Sequence, residues 1–195
     1  MGREWEPTQC SPKRKVMQQA ERRIFYVLIL IASLAWIVIS SDPSQAAADR
    51  PAALEVGAPA PDFTLSTPQG ETLTLSDLRG QPVLVNLWAT WCPPCREEMP
   101  AIQRLYMEYR DRGLIVLGVN VTVQDNPLSV MPFVEEYGLT FPILLDETGE
   151  VSAAYGLRSL PTSYFIARDG TINEIVIGGP MAEALLRSRI EAILE

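Results

Sequence analysis

The chain of 195 residues contains no histidine and only three cysteines, at positions 10, 92 and 95. Without an imidazole, Ser-His-Asp hydrolysis, Cys-His proteolysis and His-ligated metal sites have nothing to work with. Covalent haem attachment needs C-x-x-C-H, and Arg96 stands where that histidine would be. Three cysteines cannot staple a scaffold, and a zinc site on Cys92 and Cys95 would lack two further soft ligands, so no metal is expected. Lysine is absent after Lys15. Residues 24–195 hold 10 Arg against 21 acidic residues, a sum of −11, which with the +3 of residues 1–23 makes the net −8. So acidic a body disfavours nucleic acid, whose binding rests on basic side chains neutralising phosphates. The 16 Pro and 12 Gly are scattered, which excludes collagen-like and low-complexity architectures.

The remaining composition divides the chain into four parts. Residues 1–23 form a basic arm with Arg3, Lys13, Arg14, Lys15, Arg22 and Arg23. Residues 24–40 carry no charge and are at the short end of what crosses a bilayer, with Tyr26 and Trp36 near the ends as interfacial aromatics. The expectation is a single-pass signal-anchor in the cell membrane: the arm stays cytoplasmic and the rest faces the periplasmic or extracellular side. Ala46-Ala47-Ala48 before Asp49 offers the alternative of cleavage as a signal peptide. Residues 41–56 read as a flexible tether and residues 57–195 as the working domain.

That domain alternates strand and helix signals, the pattern of an α/β fold with a mixed sheet flanked by helices. Phe63–Leu65 and Thr72–Leu75 suit a hairpin turning at Gly70, and the apolar run Val83–Ala89 suits a strand buried on both faces. A helix is expected from Pro94 to Arg112, closed by Gly113, then a strand over Leu114–Val121. Further on, the pattern predicts a helix over Met131–Tyr137 and a strand over Phe141–Leu145. A hairpin of Ser163–Ala167 and Ile172–Ile177 turns on Asp169-Gly170, and Met181–Leu194 forms a closing helix.

Cys92 and Cys95 fall where the first buried strand hands over to a helix. Free N–H groups and the positive end of the helix dipole favour a thiolate there. Cys95 lies one turn further on the same side, within bridging distance. Because Pro93 and Pro94 bring no N–H, stabilisation of the Cys92 thiolate falls to Cys95 and later amides, and a moderate depression of its pKa is expected. A bridge spanning so few residues removes little unfolded-state entropy, which argues against a purely structural staple and for dithiol/disulfide exchange.

The run Trp88-Ala89-Thr90-Trp91-Cys92-Pro93-Pro94-Cys95-Arg96-Glu97-Glu98-Met99-Pro100, with Leu160-Pro161-Thr162 downstream, resembles the thioredoxin superfamily, and most its membrane-anchored TlpA/ResA-like branch of thiol-disulfide oxidoreductases. The resemblance covers residues 55–195. It implies a thioredoxin-like fold with an N-terminal hairpin and a helix-strand insertion over Asn126–Asp146. It also implies that Cys92 is the attacking sulfur, Cys95 the resolving one, and Pro161 a cis proline that leaves the Leu160 backbone open to an extended client segment. Trp91 would belong to the client surface and Trp88 to the core. Thioredoxin itself has an acid six residues before the first cysteine, where this chain has Asn86; Glu98 matches the acid the ResA-like branch uses. From spacing alone Glu98 shares a helical face with Cys95 and suits proton transfer, against the plainer reading of Glu97 and Glu98 as dipole-favoured acids. The implied activity is reduction of client disulfides, apocytochrome c among them, with electrons from a membrane thiol donor and no cofactor beyond the Cys92–Cys95 disulfide. A peroxiredoxin-like peroxidase is an alternative, although its P-x-x-x-T-x-x-C motif is absent. So is a non-catalytic module that holds partner segments at the Leu160 edge.

Overall fold

A computed structural model describes residues 23–36 and 54–195. Residues 23–36 form a helix, α1, with exposed side chains, and no helix among the described residues is long and apolar enough to cross a membrane. Cys10, Ala46–Ala48, nearly all of the basic arm, most of the tether and the C-terminal end of the expected span lie outside the described residues.

In the domain, β1 (Thr64–Ser66) and β2 (Thr72–Thr74) make the hairpin, and β3 (Val83–Trp88) leads into α2 (Pro93–Tyr109). Next come β4 (Ile115–Asn120), α3 (Pro127–Tyr137), β5 (Ile143–Leu145) and α4 (Glu150–Ala154). The chain closes with β6 (Thr162–Ile166), β7 (Ile172–Ile177) and α5 (Glu183–Leu194). The seven strands form one mixed sheet in the order β2-β1-β5-β4-β3-β6-β7. Parallel pairing joins β3 to β4 and β4 to β5, while β6 pairs antiparallel with β3 and β7 antiparallel with β6 at the edge. The insertion strand β5 carries the hairpin, since β1 pairs with it antiparallel at Ser66 and Leu145.

Every residue of β3 is buried, and its period-two alternation decides what each face receives. Leu84 and Trp88 enter one apolar cluster with Met99, Ile102 and Leu105 of α2, Phe133 of α3 and Leu186 and Ile190 of α5. Val83, Val85 and Leu87 enter the opposite cluster with Phe63, Val151 and Tyr155. Asn86 shares the α2 side with Leu84 and Trp88. Gly118 on β4 keeps that side tight: a Cβ there would stand 2.9 Å from both Ile143 and Phe141 side chains.

Several boundaries differ from the sequence expectation for identifiable reasons. Helix α3 begins at Pro127, four residues before the expected Met131, because the Asn126 side chain accepts from the Leu128 amide at 3.1 Å and Pro127 occupies the first turn, where no N–H is needed. Helix α2 ends at Tyr109, and a 3-10 turn over Arg110–Arg112 completes the expected span before Gly113 takes a left-handed conformation with φ 92°. Helix α4 has no counterpart in the expectation. It is held by buried Asp146, whose carboxylate accepts from the amides of Val151 and Ser152 at 3.3 and 2.8 Å.

Candidate active site

The site forms where β3 ends. The chain leaves the sheet at Ala89, and Cys92 becomes the N-cap residue of α2, with Pro93 and Pro94 in the first turn. The Cys92 sulfur accepts from the Cys95 amide at 3.3 Å, the donor that the two prolines leave available. Cys92 and Cys95 are disulfide-bonded, with their Cα atoms 5.3 Å apart. Both residues are buried, but not equivalently. Cys92 forms part of the wall of a cleft of about 350 Å³, whereas Cys95 is fully enclosed and does not reach it.

The rest of that wall comes from three stretches of the chain. Trp91, Pro93 and Pro94 come from the entry to α2, Gln124 from the loop after β4, and Leu157–Leu160 from the segment before β6. Trp91 is 56 % exposed, and its indole N–H donates to the Gln124 carbonyl at 2.9 Å, which holds the ring at the cleft mouth. Trp88, by contrast, is fully buried against Phe133, with ring centroids 4.6 Å apart. The Leu160–Pro161 peptide bond is cis, and so is Gly179–Pro180, for which the sequence carries no separate signal. No described residue hydrogen-bonds the Leu160 amide or carbonyl, although β6 begins two residues later. An extended segment could pair there as an added strand.

Behind the disulfide lies Glu98, one turn after Cys95. The residue is 2 % exposed. Its Oε1 accepts from Asn86 Nδ2 at 2.9 Å and its Oε2 from the Met181 amide at 3.2 Å. Asn86 also donates to Ser163 Oγ at 3.0 Å, while its own Oδ1 has no partner among the described residues. Burial raises the Glu98 pKa from the usual carboxylate value, outweighing the two hydrogen bonds that favour its charged form. Gly179 completes this corner: a Cβ there would lie 2.7 Å from Pro161 Cγ and 3.0 Å from Glu98 Oε2. Glu97, next in sequence, is exposed on the far side of the helix. The structure thus gathers Cys92, Trp91 and Leu160 at the cleft, and places Glu98 and Pro161 together through Gly179.

Sequence reasoning missed Asp125. Its carboxylate accepts from the Thr90 amide and hydroxyl, both at 2.6 Å, from Asn120 Nδ2 at 2.8 Å and from the Asn126 amide at 2.8 Å. Partial burial pushes its pKa up, but these bonds, led by Thr90, prevail and hold it below the ordinary value. Asp125 therefore fastens the loop after β4 to the loop before Cys92. Arg158, Leu157 and Gln124 were missed as well. Only the tertiary fold brings them to the cysteines.

A disulfide at the start of a helix that follows a buried central strand, with a cis-proline loop bordering the same cleft as its first sulfur, defines a thioredoxin-fold protein disulfide oxidoreductase. The chain belongs to the AhpC/TSA family, whose model matches residues 56–175. It is 39 % identical to the thiol-disulfide oxidoreductase ResA of Oceanobacillus iheyensis over 193 residues, covering 95 % of this chain and 94 % of that one. It is 36 % identical to ResA of Geobacillus thermodenitrificans over 179 residues, covering 92 % and 98 %. Among solved structures, one from Chlorobium tepidum, assigned as a thiol:disulfide interchange protein DsbE, superposes with a TM-score of 0.68 at 31 % identity, covering 73 % of this chain and all of that one. The chain is accordingly a thiol-disulfide oxidoreductase of the thioredoxin-like type.

Proposed function

We propose that this protein is a membrane-tethered, extracytoplasmic reductase of client disulfides, working through Cys92, Cys95 and Glu98. The observation that carries the reading is the asymmetry of the pair: Cys92 borders the cleft and Cys95 does not. In the reduced form, the Cys92 thiolate attacks one sulfur of a client disulfide. A Cys92–client bond forms, and the client's second sulfur leaves as a thiolate that takes a proton from water. Glu98 then accepts the Cys95 proton, and Cys95 attacks Cys92, expelling the client's remaining sulfur as a thiolate that takes a proton from water while Glu98 returns its proton to solvent. The client gains two electrons and two protons, and the enzyme ends as the Cys92–Cys95 disulfide. A membrane thiol donor would return the electrons by the same exchange in reverse. Trp91, Leu160 and Pro161 would hold the client segment, with strand-like pairing at Leu160.

The tether rests on sequence: a basic arm followed by the uncharged run 24–40. Apocytochrome c is the client that the resemblance to the ResA-like branch suggests, since its cysteines must be reduced before haem attachment. Reduction of insulin disulfides by wild type and by the Cys92→Ser/Cys95→Ser variant tests the activity, and turnover that survives the double substitution overturns it. A reduction potential near that of a strong oxidant, about −120 mV, would reverse the direction. Peroxide consumption by Cys95→Ser would favour the peroxidase alternative instead.

A further inference from the structure

The cleft carries a charge that the exchange chemistry leaves unused. Arg158 lines it beside Leu157, Ser159 and Leu160, and its side chain is exposed. Arg96, Arg104, Arg110, Arg187 and Arg189 each pair with a carboxylate. Arg158 makes no ion pair or hydrogen bond with any described residue, and no acidic residue lines the cleft. Asp125, next to the lining residue Gln124, has its carboxylate engaged by Thr90, Asn120 and the Asn126 amide. Yet residues 57–195 hold 9 Arg and 18 acidic residues, a sum of −9. A cation without a described partner, in the same cleft that Cys92 borders, is a local departure from so acidic a domain.

Screening makes that departure count. At physiological ionic strength exposed charges interact over about 8 Å, so a segment lying in the cleft responds to Arg158 rather than to carboxylates elsewhere on the domain. The walls suit an extended peptide, with Trp91 and Leu157 as apolar surfaces and the Leu160 amide and carbonyl free to pair. Arg158 stands two residues before Leu160.

Resting on the reading of this cleft as the client site, we infer that Arg158 selects clients. The preferred disulfide lies in an extended segment that carries an Asp or Glu side chain within about two or three residues of the attacked cysteine. The guanidinium pairs with that carboxylate while Cys92 attacks, and a basic residue at the same position is disfavoured.

The test uses the full-length reduced protein and three synthetic peptides that contain one Cys-x-x-Cys disulfide flanked by Glu, Gln or Lys. Each second-order rate is divided by the rate with dithiothreitol, which removes intrinsic differences in disulfide reactivity. The Glu peptide is expected to react about 2- to 5-fold faster than the Gln peptide, and the Lys peptide slower by a similar factor, the size of an exposed ion pair. Arg158→Glu should reverse the order, Arg158→Lys should keep its direction, and 1 M salt should flatten it. Equal normalised rates for the three peptides, or an order unchanged in Arg158→Glu, would overturn the inference while leaving the reductase reading intact. Failure to reduce any of the three would overturn that reading, and the inference with it.

Discussion

Glu98→Gln separates proton transfer from packing at the centre of the site. The introduced amide can keep a carbonyl oxygen that accepts from the Met181 N–H and turn its NH₂ toward Asn86. The Asn86 Oδ1, unpaired among the described residues, would then accept once the amide flips. The substitution is thus nearly isosteric, and it removes the buried carboxylate one turn after Cys95. Positioned acid–base groups contribute about 10²–10⁴-fold, and the lower end applies here because a thiol ionises unaided near pH 8.5. Attack of Cys95 on a preformed Cys92–client disulfide should therefore slow by about 100-fold at pH 7 and recover toward pH 9, following Cys95's own ionisation. In wild type the rate should level off above the raised Glu98 pKa. Single-turnover release of a fluorescent peptide from the mixed disulfide reads this step directly. Stability gives a second readout with a definite sign. Because the folded pKa of Glu98 is raised above 4.5, the folded chain retains a proton that the unfolded chain releases. The associated stability is complete below about pH 4.5 and is lost as pH rises through the folded value. Glu98→Gln escapes that loss, so its stability relative to wild type should increase across that window. A variant that releases client at the wild-type rate with an unchanged pH profile would refute Glu98 as the acceptor.

Three further outcomes follow from the geometry. Gly179→Ala forces a Cβ against Pro161 and Glu98 and should cost about 1–3 kcal/mol by overpacking, with slower client reduction; thermal denaturation and an insulin assay check both. Asp125→Ala leaves the Thr90 amide and hydroxyl without their acceptor and should cost about 1–2 kcal/mol near neutral pH. Since the wild-type pKa is lowered, that difference should persist above the ordinary Asp value and shrink as pH falls below it through the folded value, which urea denaturation followed from pH 7 into the acid range would show. Trp91→Ala should leave thermal stability nearly unchanged, because the ring is 56 % exposed, but raise the KM for peptide disulfides several-fold in steady-state kinetics.

Much of the architecture was legible because it rests on patterns of fixed period. The unbroken apolar run at β3, the 3.6-residue stripe of α2 and the Asp-Gly turn between β6 and β7 each specify local structure from adjacent residues. That Cys92, Cys95 and Glu98 fall along the start of one helix was legible for the same reason. Helix α4 was not. Five residues are too few for a periodicity, and its stabilising carboxylate, Asp146, comes from the loop before it. The early start of α3 was hidden in Asn126-Pro127, a pair that reads equally as a turn. Asp125, Gln124 and Arg158 escaped because their roles depend on where β4 and the segment before β6 end relative to β3, a property of sheet order rather than of neighbouring residues. Asn86 marked the absence of thioredoxin's acid, but that it would hold Glu98 instead became visible only once both faced the same side of the sheet.

The most direct measurement is a covalent trap. Full-length Cys95→Ser and Cys92→Ser proteins are expressed in cells, alkylated and separated without reductant. Cys95→Ser should accumulate mixed disulfides with other proteins, stable until a reductant is added, because Cys92 attacks and nothing resolves the product, whereas Cys92→Ser should accumulate none. Adducts on Cys92→Ser alone, or on neither variant, would contradict the mechanism.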